Sequence, residues 1–156
     1  MTIQQGSQAP DFTLKGTGGD EPVTLSEHRG EKNVVLLFFP LAWTSVCTDE
    51  MCTVRDGYAD FGALDAEVYG LSVDSPFALG AWAKEQGFGF PLLSDFNKEV
   101  AAAYGVLYED LLGLKGVAKR AAFVIDKDGV VRYAEVCPTP KDLPDFDQIK
   151  ATLREL

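Results

Sequence analysis

The chain of 156 residues has one histidine, three cysteines, and 14 basic side chains against 24 acidic ones; its longest apolar run is only Val34–Phe39. Each shortage excludes something. A bilayer span needs about 20 apolar residues, so no membrane segment is expected. A net charge of −10 repels phosphate backbones and anionic lipid surfaces, which argues against nucleic-acid and membrane partners. The lone histidine, His28 in SEHRG, makes a histidine-based metal site or a Cys–His pair unexpected unless it reaches Cys47, and it reads as a surface residue. No metal or bound cofactor is expected. An odd number of cysteines in a reducing compartment points to buried hydrophobes or reactive thiols rather than structural disulfides. The opening MTIQQGSQAPDF lacks a basic segment followed by an apolar one, so no secretory signal and a cytoplasmic location are expected. Repeats, low-complexity tracts and linkers are also missing, which predicts one domain over residues 1–156. At that size a domain buries about 70% of its unfolded surface and needs no staple.

What is present is an alternation of extended and helical signals. NVVLLFFP (Asn33–Pro40) is a β-rich run stopped by proline, suited to a central strand covered on both faces. EVYGLSVD (Glu67–Asp74) predicts a second strand. A helix follows, capped by Ser75, opened by Pro76 and ended by Gly87. FPLLSD predicts a short third strand before a helix around KEVAAAYG, and AAFVIDKDGVVRYAEV a hairpin turning at Asp126–Gly129. In a calcium loop DKDG would require a glutamate at the twelfth position, where Cys137 stands, so the turn is preferred. Asp145 should cap a last helix to Leu156. The pattern predicts an α/β fold, thioredoxin-like in outline: a three-layer α/β/α sandwich around a mixed sheet.

In such sheets, sites form where a strand end feeds the next helix. PLAWTSVC occupies that junction after the best strand. A thiol attacks as thiolate, favoured at a helix N-terminus or beside a cation. A helix spanning roughly Cys47 to Leu64, with Asp49 and Glu50 in its first turn, would aim backbone N–H groups at the Cys47 sulfur. The same donors, with the Thr44 hydroxyl, could hold a small oxygen-bearing electrophile.

Pro40, Thr44 and Cys47 match the PxxxTxxC motif of peroxiredoxins, and the resemblance extends from APDFTL to RAAFVIDKDGVVRY. It implies that Cys47 attacks a peroxide O–O bond, that Thr44 and backbone N–H groups hold the peroxide oxygens, and that Pro40 shields the site. It further implies that Arg120 completes the site and that Glu50 positions Arg120. The expected partners are peroxide and a thioredoxin-like or low-molecular-weight thiol reductant, with the chain a monomer or a homodimer through the active-site edge.

Cys52, five residues after Cys47, resembles the resolving cysteine of the bacterioferritin comigratory protein group (PrxQ). FFPLAWTSVC and FPLLSDF are instead similar to the AhpE-like group, which lacks that cysteine. Five residues apart on a helix, Cα atoms are about 8.7 Å apart, beyond the ~7 Å limit for a disulfide, so a Cys47–Cys52 bond requires the helix start to unwind. Cys52 is expected to resolve Cys47 in this way, as an intramolecular disulfide, with Cys52 as a core hydrophobe, and Cys137 as bystander or rival resolving residue, the alternatives. Trp82 is expected in the core, whereas Trp43 could border the pocket or a dimer contact. Three rival functions share this kind of site. A thioredoxin-type disulfide oxidoreductase would need a cysteine where Thr44 stands. A non-enzymatic redox sensor or binding module would not consume peroxide in turnover, and glutathione-peroxidase-like chemistry is disfavoured by Pro40, Thr44 and Arg120 occurring together.

Overall fold

The run after Lys32 becomes β3, Asn33–Phe38, the middle strand of a five-stranded sheet in a computed structural model that describes residues 1–156. On one side β3 pairs in parallel with β4 (Ala66–Ser72), which pairs in parallel with β5 (Leu92–Ser94). On the other it pairs antiparallel with β6 (Ala121–Ile125), which forms the predicted hairpin with β7 (Val131–Val136). The order β5-β4-β3-β6-β7 makes the sheet mixed, as expected. At the hairpin turn the Asp126 carboxylate accepts from the Asp128 and Val130 N–H groups.

Strand periodicity splits the core. Val35 and Leu37, with Phe39 just beyond the strand, face one side and pack with α1 (Ser45–Asp56), α2 (Tyr58–Ala63), α3 (Pro76–Gln86) and α5 (Phe146–Arg154). Val34, Leu36 and Phe38 face the other and pack with α4 (Glu99–Tyr104), the N-terminal segment around Phe12, and Leu25. That segment carries β1 (Thr13–Leu14) and β2 (Val23–Thr24), a small hairpin with no sequence signal. Burying side chains of this size contributes about 1.5–3 kcal/mol each, so covering both faces of β3 anchors everything attached to its end. No helix is long and apolar enough to cross a membrane.

The capping predictions for α3 hold in detail. Ser75 Oγ accepts from the Ala78 N–H, Pro76 is the first helical residue, and Gly87 closes the helix at φ 69°. Asp145 likewise caps α5, accepting from the Gln148 N–H. The helix expected over Cys47–Leu64 differs: it starts at Ser45, and Gly57 separates it from α2. The start moves because Thr44, not a later residue, has the extended backbone of an N-cap, at φ −81° and ψ 155°. Asp49 and Glu50 therefore fall in the second turn, and the first turn carries no acid. His28, expected on the surface, is half-buried, with Nε2 2.7 Å from the Tyr69 hydroxyl and no contact with Cys47.

Candidate active site

The link from β3 to α1 is short and tied down. Pro40 ends the strand, and the Ala42 N–H donates to Asp74 Oδ2 at the end of β4, at 2.8 Å. Trp43 then takes a left-handed conformation, φ 72°. For a non-glycine residue that conformation costs about 1–2 kcal/mol. The reversal aims the following residues back at the sheet end. Trp43 itself is 53% exposed, outside the cavity described below. Trp82 lies in the core as expected.

From Thr44 onward, α1 packs with a buried stripe of Cys47, Glu50, Met51 and Val54, the spacing of one helical face. Gly70 on β4 seats it. A Cβ there would lie 2.8 Å from Leu92 Cδ2, 3.1 Å from Met51 Sδ and 3.3 Å from a Phe39 ring carbon, closer than such contacts ordinarily run, so a larger residue would have to displace these side chains, Met51 of α1 among them.

Cys47 is the third helical residue and only 1% exposed. Its sulfur accepts from Arg120 Nη2 at 3.2 Å, and Arg120 Nη1 donates to Glu50 Oε1 at 2.5 Å. The Pro140 carbonyl receives two more guanidinium donors, from Nη2 at 2.9 Å and Nε at 3.3 Å. Arg120 and Glu50 are 1% and 0% exposed, so this is a fully buried ion pair. Burial pushes the Glu50 carboxyl upward and the Arg120 guanidinium pulls it back. Glu50 Oε2 is buried without a partner. Such an orphan acceptor costs roughly 1–3 kcal/mol, which marks the pair as a positioning device more than a stabilising one.

The N–H groups of Ser45, Val46 and Cys47 have no acceptor in the protein, because Thr44 makes no side-chain cap. Its hydroxyl donates instead to the Leu41 carbonyl at 2.8 Å. Thr44 can thus present an oxygen lone pair, rather than a proton, to a molecule beside Cys47. These groups border a cavity of about 210 Å³ lined by Pro40, Leu41, Thr44, Cys47, Arg120 and Pro140, with Leu111, Leu112, Leu114 and Lys141 at its edge. The expected Pro40, Thr44, Cys47 and Arg120 thus share one cavity, with Glu50 behind Arg120. Sequence reading missed the Pro140 carbonyl and the leucines. CPTP marks irregular backbone but not which carbonyl turns inward, and the leucines carry no chemical signature.

Cys52 is elsewhere. It is half-buried on α1, and its thiol donates to Gln86 Oε1 at the end of α3, at 3.8 Å. All three cysteines are unpaired, and α1 runs unbroken through Cys47 and Cys52. Cys137, just past β7, is buried with its N–H bonded to the Arg120 carbonyl at 2.9 Å. Burial, aided by Glu135 and Glu50, pushes its thiol up to about 12, which makes it a poor attacking thiol. In native protein at pH 8, Cys137 should therefore resist iodoacetamide for hours and become labelled once denaturant is added. Peptide mapping that found rapid native labelling at Cys137 would contradict that assignment.

Residues 5–134 match the AhpC/TSA family. The chain is 44% identical over 136 residues to alkyl hydroperoxide reductase E of Mycobacterium tuberculosis, covering 86% of each sequence. It is 41% identical over 145 residues to a chloroplastic 2-cysteine peroxiredoxin of Chattonella marina var. antiqua, covering 87% of this chain and 72% of that one. Among solved structures it resembles the peroxidoxin BcpB of M. tuberculosis, with a TM-score of 0.86 and 35% identity over 99% of this chain and 98% of the other.

Proposed function

From the premise that this chain belongs to the AhpC/TSA family of peroxiredoxins, we propose that Cys47 is the residue through which it reduces hydrogen peroxide and organic hydroperoxides. The carrying observation is the 3.2 Å contact from Arg120 Nη2 to Cys47 Sγ at the floor of an open cavity. A charged N–H donor suits a thiolate, and attachment to both Glu50 and Pro140 fixes its direction.

In the proposed step the Cys47 thiolate sulfur bonds to the distal oxygen of ROOH and the O–O bond breaks. The sulfur is oxidised to sulfenic acid as the peroxide is reduced. The departing RO⁻ takes a proton and leaves as ROH or water. Negative charge moves from sulfur to the departing oxygen. Arg120 and the open N–H groups of the first turn of α1 lie where that charge spreads, so they stabilise it without rearranging. The Thr44 oxygen can accept from the peroxide O–H, which orients the O–O bond toward sulfur. Pro40 has no N–H to donate and walls off water.

The second half of the cycle assigns Cys52. Its thiol condenses with the Cys47 sulfenic acid, forming an S–S bond and releasing water, after the first turns of α1 unwind. A thioredoxin-like protein or a small thiol then returns two electrons. The first turn has free N–H groups and follows the strained Trp43, which supports opening there, and the opening must release Cys47 and Glu50 from Arg120. Intact mass and peptide mapping after one equivalent of peroxide test it. A Cys47–Cys52 link, absent in Cys52→Ser, is expected. A persistent sulfenic acid with Cys52 free would make this a one-cysteine enzyme, which the Cys52–Gln86 contact favours, and a Cys47–Cys137 link would reassign the resolving role.

A further inference from the structure

Cys52 points away from the chemistry assigned to it. Five residues on a helix turn about 140° beyond one full circle, so Cys47 meets Arg120 while Cys52 meets the C-terminal end of α3. That end carries an unpaired group. The Gly87 and Phe88 N–H groups both donate to the Ala83 carbonyl, which leaves the carbonyl of Gln86, the last residue of α3, with no backbone partner. Arg55 of α1 supplies one. Its Nη1 donates to the Gln86 carbonyl at 2.6 Å, where a cation also suits the negative end of the helix dipole. Three residues earlier on α1, the Cys52 thiol donates to the side-chain Oε1 of the same residue, at 3.8 Å. Gln86 thus holds α1 twice, through its backbone by Arg55 and through its side chain by Cys52.

The helix is therefore tied at two places. Cys47 and Glu50 are held by Arg120, and Cys52 and Arg55 by Gln86. The reaction treats the two ties differently. The first is made to the sulfur that peroxide oxidises, so it changes once Cys47 becomes a sulfenic acid. The second touches no group that reacts in that step, and it still holds Cys52 after the sulfenic acid has formed.

A Cys47–Cys52 bond needs that thiol released: its proton and the sulfenic hydroxyl leave as water while the S–S bond forms. Until then the sulfenic acid is open to a second peroxide, which gives it an oxygen, makes the sulfinic acid and departs as ROH. We infer that Gln86, clasped by Arg55, is a positioning residue that paces resolution, its release of Cys52 deciding between disulfide and sulfinic acid. The inference rests on the reading of Cys52 as the resolving residue.

Rapid quench with thiol alkylation and intact mass, on the full chain after a pulse of hydrogen peroxide, follows the reduced, sulfenic and disulfide forms in time. Gln86→Leu removes the acceptor of the Cys52 thiol. Arg55→Met removes the donor to the Gln86 carbonyl, and Gln86→Glu sets a carboxylate, a stronger acceptor, beside both Cys52 and Arg55. None of these residues lines the cavity, so the rate of Cys47 oxidation should stay at the parent's value. Disulfide formation should be about threefold faster in Gln86→Leu and about tenfold or more in Arg55→Met, the sizes of a neutral and a charge-assisted hydrogen bond, and slower in Gln86→Glu. In excess peroxide the sulfinic fraction should move opposite to each rate. A variant that merely loosened the fold could not slow the step, so the Gln86→Glu result separates a clasp from general destabilisation. Resolution at the parent's rate in all three overturns the inference, as does a slower step in Gln86→Leu or a faster one in Gln86→Glu. Failure of the Cys52 reading would look different, with no Cys47–Cys52 disulfide in the parent at any time, and the inference would fall with it.

Discussion

Cys47→Ser should lower peroxide consumption on the order of 10⁴-fold or more, to the level of unassisted thiols, while leaving the fold in place. The expected size follows from what the substitution removes. Serine keeps the volume and can still accept from Arg120, so the cavity, the ion pair and α1 have no reason to move. It lacks the polarisable sulfur, and a hydroxyl, far less acidic than any thiol, cannot replace it as nucleophile. Loss of activity with unchanged circular dichroism and a melting temperature within a few degrees of the parent is the expected pair of results. Turnover close to that of the parent would remove Cys47 from the chemistry.

Arg120→Lys should cost about 10²–10³-fold in the rate of Cys47 oxidation, comparable to losing one fixed donor from an anion-stabilising site. The guanidinium reaches Cys47, Glu50 and Pro140 at once from a residue with 1% exposure. An ammonium is a single point with three donors and no plane. It can satisfy the Glu50 carboxylate or approach the sulfur, but it cannot reproduce the fork that does both. Because lysine retains the charge, Glu50 is not left unpaired. The stability loss should therefore be smaller than the roughly 3–5 kcal/mol of breaking a buried pair outright. Stopped-flow oxidation and denaturant unfolding of one preparation separate the two effects. A rate within about threefold of the parent would show that the charge alone, not the fork, is what the site uses.

Much of this architecture is legible in the sequence, for identifiable reasons. β3 is plain because a strand buried on both faces must be apolar throughout, and α3 because serine, proline and glycine each stand where a helix end uses them. Cys47, Glu50 and Arg120 are expected together, and the fold puts them in contact. The start of α1 is less visible. Thr44 reads as part of a loop, and Glu50, which pairs with a distant arginine, reads as an acid at a helix end. The β1–β2 hairpin is two residues per strand, too short for any periodicity to register. Leu111, Leu112 and Leu114 break the rule that turns take polar residues and glycine, so no local reading would place them at the cavity edge. His28 escapes a local reading because its partner, Tyr69, lies on another element.

The register Phe38↔Ala121 sets the end of β3 beside the start of β6. Cys47 and Arg120 therefore meet in space although 73 residues separate them. Seen during synthesis, Cys47 emerges long before Arg120: at 5–20 residues per second, about 4–15 s earlier. Until β6 adds to β3, the growing chain carries the cysteine without the guanidinium. The centre proposed here thus needs β6 in place, and a chain stalled or truncated before β6 holds Cys47 with no guanidinium beside it.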